Sequence, residues 1–401
     1  MVTEKKTESS YQPRIGIIGI GGGGGSIVSE IAKSLARKKI HNLNKIKFVV
    51  ANVDQQSLKS VPKQAGAFYF GEKVTHGLGC GMNPELGEQA AMAAKPRLEK
   101  ILKKCDLCIF VSSLGGGTGS GASPVFTQTA KELGVLSLGI FTTPFTFEGS
   151  ERTRIARNSL ERSKENLNAY VVLPNQRIFK LIDENTPIQK SLSSMNDVLV
   201  STLEGLIETL YQPGLINLDF SDFRATLDKE KGMAYLNSQE FSGKDRADKI
   251  VDNILNNPLI DYKIEVVERI LFNVQGSKDM KLREIEKIAK KIFSLNPRAK
   301  IIFGVNPDGS IKNKIKITLL AVGDKKPKPK PKPKKVVEKV EEPKPEIKKP
   351  KPKPKPKKVV EKKEVVRKNA LDLHKQVEEL ESKLLEEESK WDIPAFLREK
   401  E

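Results

Sequence analysis

Residues 111–124, Val-Ser-Ser-Leu-Gly-Gly-Gly-Thr-Gly-Ser-Gly-Ala-Ser-Pro, are of the types that bind an anion. Gly115, Gly116, Gly117 and Gly119 let backbone N–H groups reach a phosphate with no Cβ in the way, and Thr118 and Ser120 add hydroxyl donors. A helix starting here adds unpaired N–H groups and the positive end of its dipole. No lysine follows the glycines, which excludes the Lys-Ser/Thr phosphate loop. A second run, Gly21, Gly22, Gly23, Gly24 and Gly25, ends in Ser26, and the frame Gly19-x-Gly21-x-x-Gly24 fits the dinucleotide fingerprint. A third is Gly77-Leu78-Gly79-Cys80-Gly81-Met82-Asn83-Pro84. Different chemistry resides in Gly214-Leu215-Ile216-Asn217-Leu218-Asp219-Phe220-Ser221-Asp222. Two carboxylates three residues apart can cap a helix, or they can orient and polarise a water.

These groups need strands and helices to hold them. Apolar residues 14–20 read as a strand, with a helix over 26–38 after the glycines. A second strand, 47–51, ends in Asn52-Val53-Asp54; the strand 107–111 leads into the first glycine stretch, and a helix over 124–133 leads out. A helix over 85–104, a strand over 134–142 and then Glu148 and Arg152 follow. Over 187–211, Ile188, Leu192, Met195, Leu199, Leu203, Leu206 and Leu210 form one apolar stripe, which predicts a buried helix linking two domains. Beyond it the pattern gives helices over 245–255 and 281–295 and strands over 269–275, 300–305 and 315–322. Alternating strands and helices predict an α/β fold.

Formal charge is +19, but it is concentrated: residues 325–368 hold 20 Lys/Arg against 6 Glu, and 369–401 hold 5 Lys/Arg against 10 Asp/Glu. The body is modestly basic, so nucleic acid is not the expected partner. Cys80, Cys105 and Cys108 make no even disulfide framework, which fits a reducing cytoplasm. Cys105 and Cys108 have redox-motif spacing but enter a strand, where residues three apart point to opposite faces, so they read as strand filler. With no apolar run of 18 residues and no leader pattern, neither a membrane span nor a signal peptide is expected.

Gly115-Gly116-Gly117-Thr118-Gly119-Ser120-Gly121 resembles the signature loop of the tubulin superfamily, and companion motifs over residues 14–323 resemble the FtsZ family of prokaryotic cell-division GTPases. The resemblance implies a Rossmann-like GTPase domain over 14–186, a central helix over 187–211 and a smaller α+β domain over 212–323. It implies GTP or GDP with Mg²⁺, the phosphates lying on Gly21–Gly25 and Gly115–Ser120. Further contacts fall to Ser26, Asn52 and Asp54. Glu148 would meet the ribose, Arg152 the sugar and base, Asn175 the base, and Asp197 the guanine N1 and exocyclic amine. The 77–84 loop would approach the terminal phosphate. Asp219 and Asp222, with Asn217, would enter the pocket of the next subunit and activate water, so that hydrolysis requires head-to-tail polymerisation. Ser26 stands where the family has Asn, Val53 where it has Thr, and Leu192 where it stacks Phe on the base.

Outside this body, 1–13 reads as a polar, disordered arm and 324–368 as a Lys/Pro-rich linker whose segments 326–339 and 349–362 are identical. Alternating Pro and like charges extend such a chain to about 3.1 Å per residue, which makes it a spacer. A charged helix is expected over 369–391. Within 392–401, Asp392-Ile393-Pro394-Ala395-Phe396-Leu397-Arg398 resembles the family's C-terminal recognition peptide, which implies docking onto a membrane-tethered division adaptor and a cytoplasmic place at the division site. Two other classes meet part of the pattern. One is a GTP-binding tubulin-like scaffold with little hydrolysis. The other is a dinucleotide oxidoreductase, which leaves the 115–121 and 214–222 motifs unexplained.

Overall fold

The structure, a computed structural model, describes residues 12–38, 43–183, 185–227, 232–243, 245–260, 267–309, 311 and 313–323. The side chains of Ile188 and Leu192, most of the 1–13 arm, the Lys/Pro linker, the 369–391 helix and the 392–398 peptide lie outside the described residues.

In chain order the first half comprises β1 (Ile15–Ile20), α1 (Gly21–Lys38), β2 (Ile46–Asn52), α2 (Gln55–Leu58), β3 (Gly66–Tyr69), α3 (Glu72–Thr75), α4 (Pro84–Leu102), β4 (Leu107–Ser113), α5 (Gly117–Glu132), β5 (Leu136–Thr143), α6 (Ser150–Lys164) and β6 (Ala169–Pro174). There follow α7 (Ile188–Tyr211), α8 (Phe220–Leu227), β7 (Gly232–Ser242), α9 (Arg246–Leu255), β8 (Arg269–Gly276), α10 (Leu282–Leu295), β9 (Lys300–Pro307) and β10 (Lys314–Gly323).

The strands form one sheet in the order β3-β2-β1-β4-β5-β6-β7-β10-β8-β9. Strands β1 to β6 pair in parallel. Their apolar runs are buried on both faces, as parallel sheets require. Ile15 and Ile17 join the core under α1 and α7, whereas Ile18 and Ile20 join the core under α4 and α5. Only two register pairs, Ala169↔Gly232 and Tyr170↔Met233, join β6 to β7, where the antiparallel part with β10 and β8 begins. The predicted two-domain α/β organisation stands, with this narrow sheet junction added.

The expected helix starts are corrected. Gly21–Gly25 form the first turns of α1 rather than a loop ahead of residue 26, and α5 begins at Gly117 rather than 124. Glycine costs a helix up to about 1 kcal/mol per residue, but at every one of these positions except Gly22 packing leaves no room for a Cβ. A Cβ on Gly24 would lie 2.2 Å from the Val111 carbonyl oxygen, and one on Gly119 would lie 2.6 Å from that of Ser113.

Helix α5 also carries Pro124, which removes a donor to the Ser120 carbonyl. The Ser159 hydroxyl of α6 donates to that carbonyl instead, at 2.7 Å, in a buried setting. Ser159→Ala should therefore lower the unfolding free energy by about 1–3 kcal/mol, the cost of a stranded buried acceptor, as read from urea denaturation.

Candidate active site

The order β3-β2-β1-β4-β5-β6 reverses direction between β1 and β4, and open α/β sheets bind ligands at such a switch, outside the carboxyl ends of the strands. The two glycine turns follow β1 and β4 and lie against each other there: a Cβ on Gly21, at φ 74°, would sit 3.0 Å from the Gly119 nitrogen. Two helix N-termini thus converge on one place.

The glycines divide by role. Those at 21, 24 and 119 are fixed by packing, whereas a Cβ on Gly22 or Gly116 would meet no packing neighbour within 4 Å among the described residues. These two open positions border the cradle. The N–H of Gly115 donates to the Ser120 hydroxyl at 2.8 Å, and that of Gly117 donates to the Gly81 carbonyl at 2.9 Å. Gly115, Gly117 and buried Ser120 therefore shape the turn, and Gly116 and Thr118 are its half-exposed members. The Cys80 thiol lies beside the Thr118 side chain, and burial pushes that thiol's pKa up. Together with the Gly117–Gly81 bond, this ties the 77–84 loop to the signature turn.

Other predicted residues also have internal partners. The buried Asn52 Oδ1 accepts from the Val53 N–H at 2.8 Å, and Asp54 caps α2 by accepting from the Gln56 N–H at 2.9 Å. Glu148 accepts from the Phe145 N–H at 2.8 Å and from the Arg152 guanidinium at 2.5 Å, so the two expected sugar contacts pair with each other. Asn175 opens a 3-10 turn at the end of β6, beside the end of β5. A cavity of about 1010 Å³ runs along α1, bordered by Gly21, Gly22, Gly25, Ser26 and Asn52. Asp197 borders a separate cavity of about 450 Å³ with Ser201 and Glu204.

The carboxylate loop is elsewhere. Asp219 and Ser221 share a cavity of about 750 Å³ with Arg14, Asp106 and Val135, residues that precede β1, β4 and β5. Asp219 thus stands at the amino ends of the strands whose carboxyl ends bear the glycine turns. The seven residues of β4 at about 3.3 Å each hold the two edges about 20 Å apart. Within the loop, the Asp222 N–H donates to Asp219 Oδ1 at 2.8 Å and the Asp219 N–H donates to Asp222 Oδ2 at 3.3 Å, a reciprocal cap on α8. Asn217 Oδ1 accepts from the Gly214 N–H at 3.3 Å. The Ser221 hydroxyl, then the Asp222 N–H, hold the Asp219 pKa below its ordinary 3.8.

The model of the Tubulin/FtsZ family GTPase domain matches residues 14–183, and that of the FtsZ family C-terminal domain matches 232–325. The cell division protein FtsZ of Rickettsia conorii is 35% identical over 315 residues, 78% of this chain and 68% of that protein. The chain belongs to the FtsZ family. The FtsZ of Caulobacter vibrioides is 34% identical over 317 residues, 79% of this chain, which spans 61% of that relative's length. Among solved structures, an empty FtsZ dimer from M. jannaschii has a TM-score of 0.71 at 30% identity and covers 79% of this chain and 89% of its own. The sequence left unread the Cys80–Thr118 contact and the Ser120 and Ser159 bonds. No local pattern signals a hydrogen bond between groups that only the fold brings together.

Gly116→Val should keep the fold, losing about 1–2 kcal/mol at the N-cap of α5, yet weaken binding of a fluorescent guanine nucleotide at least tenfold; Gly24→Val should not fold. The ionised Asp219 stabilises α8 fully above its unfolded pKa near 3.8, and that contribution is lost as pH falls through the lower folded value. The stabilities of wild type and Asp219→Asn should accordingly differ at pH 6 and converge in strong acid.

Proposed function

We propose that this chain is a GTP hydrolase that stacks head to tail and completes its active site between two copies. One observation carries the reading: the anion cradle and the carboxylate loop occupy opposite edges of one sheet, so stacking brings one copy's loop to the next copy's cradle. Asp219 and Asp222 then orient and polarise the water that attacks the γ-phosphorus, and the bond to the β–γ bridging oxygen breaks. Both ends carry apolar surface suited to such a joint: Phe147 and Phe179 beside the glycine edge, Leu215 and Ile216 on the loop, at 69, 54, 80 and 44% exposure. That the FtsZ of M. jannaschii has been solved as a dimer supports self-association.

Guanine selection rests with Asp197, whose carboxylate would accept from N1 and the exocyclic amine, while Glu148 and Arg152 would exchange their mutual pair for the sugar. Among the described residues no His, Cys, Asp and Glu cluster forms a metal site of its own. Mg²⁺ binds largely through substrate phosphates and retained waters, so the donor set fits an ion carried in by the nucleotide, where it would neutralise phosphate charge. In the cell the filament would serve division, as the relatives' names say of them. The 392–398 peptide would tether it to a membrane-bound adaptor at the cytoplasmic division site, across the 324–368 spacer.

Phosphate release with GTP and Mg²⁺, followed against protein concentration alongside light scattering, should begin only above the assembly threshold. Asp222→Asn, which keeps the cap's acceptor, should bind nucleotide normally and assemble, with turnover reduced by about 10² or more. Wild-type filaments without phosphate release would leave the carboxylates only their capping role.

A further inference from the structure

The root of the 214–222 loop rests on a pair of buried amides. Gln275 of β8 and Asn306 of β9 are register partners, 1% and 4% exposed. Gln275 Nε2 donates to Gln212 Oε1 at 2.8 Å, and Asn306 Nδ2 donates to the Gln212 backbone carbonyl, also at 2.8 Å. Gln212 is the C-cap of α7 and the last residue before Pro213-Gly214. Beyond it the chain makes one antiparallel bridge to β9: the Leu215 N–H donates to the Val305 carbonyl at 2.8 Å, and the Val305 N–H donates to the Ile216 carbonyl at 2.9 Å. Gly214 is pressed onto the same amide, since a Cβ there would lie 2.3 Å from Asn306 Oδ1.

Apolar side chains would fill these positions with less desolvation, as Phe272 and Val274 do nearby. Among the described residues, the buried Gln275 Oε1 finds no hydrogen-bond partner. What amides supply and apolar groups do not is direction: two donors converge on one residue and fix both its side chain and its carbonyl. That residue sets the angle at which the chain leaves α7, and Asp219 lies seven positions further on.

We propose that Gln275 and Asn306 are positioning residues for hydrolysis, fixing the exit of the loop so that Asp219 and Asp222 enter the neighbouring copy's site in register. This rests on the loop acting between copies as proposed above. A displacement of about 1 Å at reacting groups costs up to about 10²-fold in rate, so a loosened root is felt in turnover before it is felt in binding.

The test uses the full chain with Asn306→Ala and Gln275→Met, the second matching length and removing the donor, and with Asp222→Asn in parallel. Both amide variants should bind GTP as wild type does, assemble at the wild-type threshold and release phosphate about tenfold more slowly per assembled subunit. In equal mixtures with Asp222→Asn, labelled amide variant should pellet with the filaments and turnover should stay near the mean of the two variants alone, because every loop in such a filament is defective. A rise to about one quarter of wild type means that the amide variant's loop works in the intact pocket of Asp222→Asn and that its own pocket is what is damaged, and exclusion from the pellet or failure of both variants to fold assigns the amides to stability; each of these overturns the proposal. Wild-type turnover in both amide variants overturns it too if Asp222→Asn is inactive, whereas an active Asp222→Asn overturns the reading beneath it.

Discussion

The fold hangs on a backbone contact that only glycine permits. The first turn of α1 presses on the end of β4, and the first turn of α5 presses back, at separations where a single methyl group would overlap a carbonyl oxygen. This contact brings the amino ends of two helices to the point where the strand order reverses. Their unpaired N–H groups and dipoles then make an anion site from backbone alone. At Gly24 and Gly119 the low helix propensity of glycine is outweighed because larger residues do not fit.

Around that contact the polar side chains are largely spent on shaping the protein. Ser120 holds Gly115, Asn52 holds its own turn, and Glu148 holds both Phe145 and Arg152. A nucleotide would meet a preformed cradle, so little ordering cost would fall on binding. The 77–84 loop is fastened to the signature turn by the Gly117–Gly81 hydrogen bond.

Helix α7 links the two halves. Its buried Glu204 and Glu208 reach Lys38 at the end of α1, at 2.5 and 3.7 Å, and Glu208 also meets Lys316 of β10 at 2.5 Å. Buried ion pairs add little net stability once desolvation is counted, but they fix the helix against both neighbours. Its far end delivers the loop whose carboxylates stand about 20 Å from their own chain's cradle. A fixed link of this kind keeps the loop away from its own cradle, as the proposed split site requires.

The sequence by itself determined the strand and helix types, the apolar stripe of α7, the glycine turns and the carboxylate motif, because each is written in local spacing. It misjudged where α1 and α5 begin, since Gly24 and Gly119 are helical for reasons set by Val111 and Ser113, far off in one case and across a turn in the other. It also left open whether Asp219 and Asp222 cap a helix or do chemistry; the fold shows the cap and puts both at the edge opposite the cradle. Only tertiary structure decided which glycines face open space, which hydroxyls are already engaged and that the loop's root lies on Gln275 and Asn306. Those facts depend on distances between residues remote in the chain, and the order of residues along a sequence carries no distances.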